Sequence, residues 1–110
     1  RLIMVGGAGS LNLPDGTPVA DTLPDAYADE AKAIRRAYDT LLAPSALTLT
    51  FVTPPFMIQP GPRTGAYRIS DRTVPGGPGE ISAEDYAVAL IDEAENAAHS
   101  GQIIGVFPAA

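Results

Sequence analysis

The sequence contains no cysteine and no tryptophan, and its one histidine is His99. Without cysteine the chain can form neither a disulfide framework nor a thiolate metal site. Any metal site would combine the one imidazole with carboxylates, and a Ser-His-Asp triad would depend on the same ring. The residues around Ser10, "GAGSL", do not match the G-x-S-x-G motif of hydrolases. We therefore expect no metal and no nucleophilic hydrolysis.

The chain is also poor in positive charge and in long apolar runs. Its 13 acidic and 7 basic side chains leave a net charge of −6, which argues against nucleic acid and anionic membranes as partners. No apolar run approaches the roughly 20 residues of a membrane span, and no signal-peptide pattern occurs. We expect a cytoplasmic protein. The sequence does have 110 residues, 45% of them hydrophobic, which is enough for one domain with a modest core.

The first part of the chain predicts a strand, a loop and a helix. Residues 2–5, Leu-Ile-Met-Val, are a short apolar run typical of a strand buried on both faces of a parallel sheet. The strand ends in "GGAG", and the proline- and glycine-rich residues 11–24 predict a long loop of a kind often found in binding sites. A helix is expected over about residues 24–43, with Thr22 as its cap and Pro44 as its end.

One face of this first helix is apolar, so we expect that face to pack against the sheet. The charged residues of the helix lie largely elsewhere and are interpreted as a solvated face. The apolar positions are spaced by four and three residues: Tyr27, Ala31, Ile34, Tyr38 and Leu41.

The second part of the chain predicts more strands and a second helix. "ALTLTFV" (46–52) alternates as a strand does, and the proline-rich residues 53–65 predict a rigid extended loop. Residues 66–69 read as a short strand, and residues 71–79 as a flexible turn. A helix should begin after Ser82, which can cap it, and residues 102–107 form a last strand. The predicted buried stripe of this helix is Ala87, Leu90, Ile91 and Ala94.

The order of these elements indicates an α/β fold with a mainly parallel sheet, three or four strands and two principal helices. A strand–helix–strand crossover in such a sheet is right-handed. A first strand buried on both faces needs neighbours on both sides, and this chain does not supply them all. We therefore expect either a missing N-terminal half or a second copy of the chain to complete the sheet.

The opening "GGAGSLNLPDG" raises the question of a phosphate-binding loop. A dinucleotide fingerprint needs G-x-G-x-x-G with a helix starting inside it, and residues 11–14, Leu-Asn-Leu-Pro, do not begin a helix. Two interpretations remain open. One is a tight turn at the end of a strand. The other is a flat rim, poor in side chains, against which a cofactor lies at the carboxyl ends of the strands.

A catalytic tyrosine–lysine pair is not predicted. Such a pair needs a lysine four positions after the tyrosine, but Lys32 follows Tyr27 by five positions, about 140° around a helix. Leu42 stands four residues after Tyr38. Both tyrosines are interpreted as packing residues.

"VTPPFM" is the counterpart of the opening loop. Two successive prolines after a strong strand fix the backbone and hold the carbonyls of Val52 and Thr53 in one orientation. In a doubly wound sheet, residues 53–56 should lie beside residues 6–10 and form a rigid wall suited to a flat ring. The alternative is a structural loop with nothing bound.

Taken together, "RLIMVGGAGSL", "ALTLTFVTPPFM", "RTGAYRI" and "ISAEDYAVALIDEAENAAHSGQIIGVF" resemble the C-terminal half of the atypical short-chain-dehydrogenase-like NAD(P)H-binding family, which includes flavin reductases. The resemblance implies that residues 1–110 form the C-terminal part of a single Rossmann-like domain, with the phosphate-loop half upstream and absent here. It implies NADPH or NADH as the cofactor. The residues carried over as cofactor-binding are Gly6, Gly7, Ala8, Thr53, Pro54, Pro55 and Phe56.

Two departures from the family pattern bear on catalysis. Gly7 stands where the flavin reductases have a serine, and Phe56 where they have a histidine, so we assign no catalytic residue. Hydride transfer to a flavin or quinone requires no acid side chain. The resemblance thus implies an oxidoreductase that passes hydride to a small flavin- or quinone-like acceptor. The alternatives are a non-catalytic NAD(P)H-sensing or protein-interaction module, and a small α/β domain that dimerises.

Overall fold

The computed structural model describes residues 1–42, 46 and 48–109, and within them it has six strands and two α-helices. The main sheet has four strands in the order β1-β2-β6-β4; β1, β2 and β6 are parallel, and β4 runs antiparallel to β6 at one edge. This confirms the predicted α/β fold. The elements are β1 (Leu2–Val5), α1 (Asp25–Ala37), β2 (Leu49–Thr53), β3 (Met57–Gln59), β4 (Tyr67–Ser70), β5 (Glu80–Ser82), α2 (Ala83–Asn96) and β6 (Ile103–Pro108).

β2 lies at the centre of the fold, and all five of its residues are buried. Phe51 stacks on the ring of Tyr38, with ring centroids 4.9 Å apart, on the α1 side of the sheet. Val52 faces the opposite side, where it packs with Tyr86 of α2. One face of the sheet is therefore covered by α2, and on the other face Tyr38, at the C-terminal end of α1, packs on β2. The strand begins later than the predicted residue 46, and Leu47 lies outside the described residues.

Within the described residues β1 lies at an edge of the sheet, so its predicted burial on both faces depends on a segment that would complete the sheet and stays a prediction. Val5 is 62% exposed and Leu2 39% exposed, because β1 is an edge strand that pairs only with β2 among the described residues. The apolar composition was correctly assigned to a strand, but its burial would need a neighbour on the free side.

α1 begins close to the predicted residue but lacks the predicted cap. Its N-cap position is Pro24, and no side chain bonds to its first amides. The hydroxyl of Thr22 donates instead to the carbonyl of Val19 at 2.7 Å, inside a 3₁₀ turn that interrupts the predicted loop. A π-type turn, Tyr38–Leu42, follows the helix. The predicted end at Pro44 lies outside the described residues.

The apolar face of α1 does not pack against the sheet as predicted. Tyr27 is 55% exposed and Ile34 36% exposed, and within the helix proper only Ala28 is buried. The reason is that α1 packs on a short 3₁₀ turn, Ala8–Ser10, where a Cβ at Gly9 would lie 2.5 Å from that of Ala31. Tyr38, just past the helix, does pack as predicted. The side chain of Leu41 falls outside the described set.

α2 begins as predicted, but its buried face is different. The hydroxyl of Ser82 accepts a hydrogen bond from the amide of Asp85 at 3.0 Å, which confirms the cap. Ala87, Ile91 and Ala94 are exposed and Leu90 is half-buried, so the predicted stripe is wrong. The residues that the helix buries include two carboxylates, which an apolar pattern does not reveal: Asp85, Tyr86, Ala89 and Glu93.

The proline-rich segment contains a strand that the sequence did not predict. β3 lies within the predicted loop of residues 53–65 and pairs in parallel with β5 to form a separate two-stranded sheet. The side chains of Gln59 and Glu80 are hydrogen-bonded across it.

Strands β4 and β6 agree with prediction to within one residue. No helix among the described residues is long and apolar enough to cross a membrane.

Candidate functional site

The carboxyl ends of β1 and β2 open onto one cleft of about 280 Å³. The segment after β1 and the segment after β2 are joined by a hydrogen bond from the amide of Gly6 to the carbonyl of Val52 at 2.7 Å. This confirms that the two predicted segments lie side by side. Six of the seven predicted cofactor-binding residues line the cleft: Gly6, Gly7, Ala8, Pro54, Pro55 and Phe56.

Thr53, the seventh residue, lies beneath the cleft rather than on its surface. It is fully buried, and its hydroxyl donates to the carbonyl of Ile104 at 2.7 Å. The carbonyl of Val52 is also engaged, because it accepts from Gly6 and from the hydroxyl of Tyr86 at 2.8 Å. Burial raises the pKa of Tyr86, so this hydroxyl stays protonated and remains a donor. These two polar groups therefore support the cleft from below.

The floor of the cleft is bare where the glycines lie. Gly6 has no room for a side chain, since a Cβ there would meet Thr53 Cγ2 at 2.6 Å and the ring of Phe51 at 2.9 Å. Gly7 has an extended backbone, with φ −133°, and a Cβ there would meet no atom within 4 Å. The absence of a side chain at Gly7 therefore leaves a flat surface that opens into the cleft.

Two arginines hold the loop that forms this floor. Arg35 of α1 donates to the carbonyl of Leu11 at 3.0 Å and to the side chain of Asn12 at 2.6 Å. Arg72 donates to the carbonyl of Ser10 at 2.8 Å, pairs with Asp39 and lies 5.3 Å from the ring centre of Tyr38. Sequence reasoning placed Arg35 and Asp39 on a solvated face. The partners of Arg35 are backbone groups, which charge spacing does not reveal.

The walls of the cleft are apolar and partly aromatic. Tyr27 from α1 meets Phe56 edge to face, with ring centroids 5.6 Å apart. Pro54 and Pro55 are buried below Phe56 and fix the direction of that segment. A flat ring can rest on such walls, because aromatic and aliphatic surfaces contact it without needing hydrogen bonds.

Two polar side chains of the cleft were not predicted as site residues. The hydroxyl of Ser10 is buried and has no hydrogen-bond partner among the described residues. Glu30 of α1 is the one charged residue in the described lining. A sequence signal existed for Ser10, since it stands in the small-residue loop. Nothing in the spacing of the helix distinguishes Glu30 from its charged neighbours.

The chain's histidine is remote from the cleft. His99 precedes β6, at the amino ends of the parallel strands and thus at the opposite end of the sheet from the cleft. Its Nδ1 lies 2.7 Å from a carboxylate oxygen of the buried Glu93. Its carbonyl accepts from Thr50 at 3.3 Å. The described residues include no group of three or more metal-ligating side chains. The imidazole is therefore not part of the described lining of the cleft.

The known proteins that this chain matches here are about twice as long. No protein-family profile matches the sequence. The chain is 34% identical to the uncharacterized protein YwnB of Bacillus subtilis, over 93% of this chain and 52% of YwnB. A proposed epimerase from Bacteroides thetaiotaomicron matches with a TM-score of 0.90 and 32% identity, over 98% of this chain and 53% of that one. A proposed NADH-flavin reductase from Streptococcus pneumoniae matches at 0.86 and 32%, over 97% and 55%.

The fold is also shared with a protein that binds a dinucleotide. A short-chain dehydrogenase/reductase from Veillonella parvula in complex with NADP has a TM-score of 0.67 and 24% identity, over 97% of this chain and 50% of that one. The chain is thus similar to Rossmann-like proteins of the short-chain-dehydrogenase-like, flavin-reductase-like and epimerase-like kind, which confirms the resemblance seen in the sequence. It spans about half the length of the relatives that it matches.

Proposed function

We propose that this chain is the C-terminal part of an NAD(P)H-dependent oxidoreductase that passes hydride from a reduced nicotinamide to a small flavin- or quinone-like acceptor. The observation that carries the proposal is the cleft that the ends of β1 and β2 share, with its bare floor at Gly7 and its apolar wall at Pro54 and Pro55. In open α/β sheets, ligands bind outside the carboxyl ends of the strands. The NADP-bound neighbour has the same fold and supports this assignment.

The cleft residues fit one end of the cofactor. Gly6, Gly7 and Ala8 would form the floor under a nicotinamide ring, and Pro55 and Phe56 would form the wall beside it. The bound cofactor would supply the hydride. The side chains of this cleft exclude water from the ring and hold it flat, which favours transfer over side reactions.

The diphosphate end of the cofactor has no site in the described residues. The turn after β1, Ala8–Ser10, is a single 3₁₀ turn, and no α-helix begins before Asp25. A pyrophosphate is held by a glycine-rich loop at the start of a longer helix. We propose that this loop belongs to an N-terminal half, which would pair with the free edge of β1 and cover its exposed residues.

The cleft also indicates which acceptors are suited. Reduction of a flavin or a quinone takes one hydride and one proton, and water can supply the proton. Gly7 and Phe56 cannot donate protons, so an acceptor that must be protonated by the protein is less suited. A non-catalytic NAD(P)H sensor is the second candidate, because the lining that the structure describes has neither a tyrosine–lysine pair nor a histidine.

The experiment follows NADPH and NADH oxidation by the purified full-length protein with riboflavin and a naphthoquinone. We expect oxidation that depends on the protein and is abolished by Gly7→Val, which fills the floor. Gly76→Val is the matched control, since a Cβ at Gly76 also meets nothing within 4 Å but lies outside the cleft. Binding without oxidation would support the sensor. No binding of either nucleotide would overturn both candidates.

The proposed domain organisation has a separate test. Mass spectrometry of the intact native protein should give about twice the 11.4 kDa of this chain, since relatives are about twice as long. A native mass equal to that of the chain would contradict the proposed N-terminal half.

A further inference from the structure

The cleft has several large apolar side chains that are exposed to solvent. Tyr27, Ile34, Phe56 and Ile58 all line it, and each is between 36% and 55% exposed. Large apolar side chains gathered at one exposed site indicate a ligand or partner surface. The concave shape and the edge-to-face pair of Tyr27 and Phe56 favour a flat ring over a chain-like ligand.

The charge of the cleft limits which charged substituents such a ring can have. Glu30 is the one charged side chain of the described lining, and it belongs to a chain whose net charge is −6. The described lining contains no arginine or lysine, and Arg35 and Arg72 donate instead to carbonyls of the floor loop. A phosphate or carboxylate on the ligand would therefore meet a like charge with no compensating cation.

The hydroxyl of Ser10 indicates that the ligand also carries a hydrogen-bonding group. Ser10 lines the cleft and is 1% exposed, and its Oγ has no partner among the described residues. A buried hydroxyl without a partner is costly, and native proteins rarely leave one unmatched. A ring carbonyl or ring nitrogen that approaches this hydroxyl would supply the partner.

We propose that this cleft selects an uncharged conjugated ring with a carbonyl or ring nitrogen, and rejects the same ring when it carries a phosphate, with Glu30 as the residue that sets the selectivity. The inference rests on the proposed function, because it names the acceptor class for the same cleft. It is nevertheless testable without nicotinamide or turnover.

The probes are riboflavin and flavin mononucleotide, which share one ring system and differ by a phosphate. The dissociation constant of each is measured by quenching of flavin fluorescence, after circular dichroism has verified that the protein is folded. We expect riboflavin to bind more tightly. In Glu30→Gln the ratio of the two constants should shrink by about fivefold, the size of a like-charge repulsion at short range in water.

The control is Asp29→Asn, which makes the same charge change on the neighbouring exposed residue of α1, outside the cleft. It should leave the ratio unchanged. In the parent protein the ratio should also shrink in about 1 M salt, where charges are screened beyond about 3 Å. Ser10→Ala should weaken both ligands by about fivefold, without lowering thermal stability, because the hydroxyl has no protein partner to lose.

Several outcomes overturn the inference. One is tighter binding of flavin mononucleotide than of riboflavin, and another is an equal effect of Asp29→Asn and Glu30→Gln. Failure of the folded protein to bind either flavin would also overturn it. The proposed function fails separately: selective flavin binding by a protein that never binds NADPH or NADH would leave this inference standing and remove the oxidoreductase.

Discussion

The two helices of this protein are built in opposite ways. α1 has no side-chain cap and leaves Tyr27 and Ile34 exposed, whereas α2 is capped by Ser82 and buries two carboxylates, Asp85 and Glu93. Apolar residues of α1 line the cleft, whereas acidic residues of α2 form hydrogen bonds that hold the fold together. The comparison teaches that an amphipathic pattern identifies a helix but does not identify what lies opposite each face.

The burial of the two carboxylates of α2 is tolerated because each accepts hydrogen bonds from residues outside the helix. Asp85 accepts from the amide and hydroxyl of Thr64, at 2.8 and 2.6 Å, and from the amide of Gly65 at 2.9 Å. Glu93 accepts from the amide and ring of His99. Buried charges are tolerated when they are hydrogen-bonded in this way. α2 is thus attached to the loops before β4 and β6 by its acidic residues.

The substitution expected to destabilise the protein most disrupts the packing of α1. Gly9→Ala places a Cβ at 2.5 Å from that of Ala31, so helix and loop must move apart, and we expect a loss of about 1–3 kcal/mol in unfolding free energy. Urea denaturation measures it. Gly7→Ala, in an extended and open position two residues earlier, should change stability by less than about 0.5 kcal/mol. Equal losses would show that the contact with Ala31 does not decide the cost.

The caps give the next comparison. Ser82→Ala removes the acceptor for the amide of Asp85 and should cost about 1 kcal/mol in the same assay. Thr22→Ala removes a hydroxyl that bonds to a turn and not to the start of α1, and it should cost less. A larger loss in Thr22→Ala than in Ser82→Ala would reverse the distinction between the two helices.

The contribution of Asp85 to stability should depend on pH. The hydrogen bond from the Thr64 hydroxyl, followed by that from the Gly65 amide, holds the pKa of Asp85 below its usual value of 3.8. A depressed folded-state pKa stabilises the fold above the unfolded value, and the contribution is lost as the pH falls through the folded value. Asp85→Asn should thus destabilise at neutral pH, with a gap from the parent protein that closes below about pH 4.

The matched control for that titration is Asp29→Asn on α1, whose carboxylate is exposed. Asp29→Asn should change the unfolding free energy at neutral pH by less than about 0.5 kcal/mol, as surface substitutions usually do. A gap for Asp85→Asn that is constant with pH would contradict the role of the hydrogen bonds to Asp85.

The smallest effect concerns Tyr67 of β4. Its hydroxyl donates to Asp92 of α2 at 2.7 Å, and this bond, together with burial, raises the pKa of Tyr67 to about 12. Carbon-13 NMR of labelled tyrosine should record this late titration. Asp92→Asn should bring the titration of Tyr67 closer to the ordinary value of 10.0, and an unchanged titration would show that Asp92 is not the cause.

Much of the fold follows from short-range patterns in the sequence. The bounds of β1, the cap at Ser82 and the juxtaposition of the two cleft segments are readable because each depends on neighbouring residues and on the rules of parallel sheets. The fold class follows from the order of the elements. The same reasoning identified six residues that line the cleft.

The features that were missed depend on contacts between distant residues. The burial of Asp85 requires Thr64, and the burial of Glu93 requires His99, so apolar periodicity assigned the wrong face to α2. β3 and β5 pair across a proline-rich segment whose composition indicates a loop. Glu30 is distinguished from its charged neighbours on α1 only by its place in the lining of the cleft. Such long-range pairings leave no local signal in a single sequence.

The central position of β2 has a consequence for the rate of folding. Leu49 pairs with Leu2 and Phe51 pairs with Ile103, so both neighbours of this strand are remote along the chain. Closing each crossover loses chain entropy before a strand pair can form. We therefore expect the helices to form early and the sheet to assemble over about milliseconds to seconds. Stopped-flow circular dichroism with amide-exchange labelling measures this order, and amide protection of β2 within the dead time would contradict it.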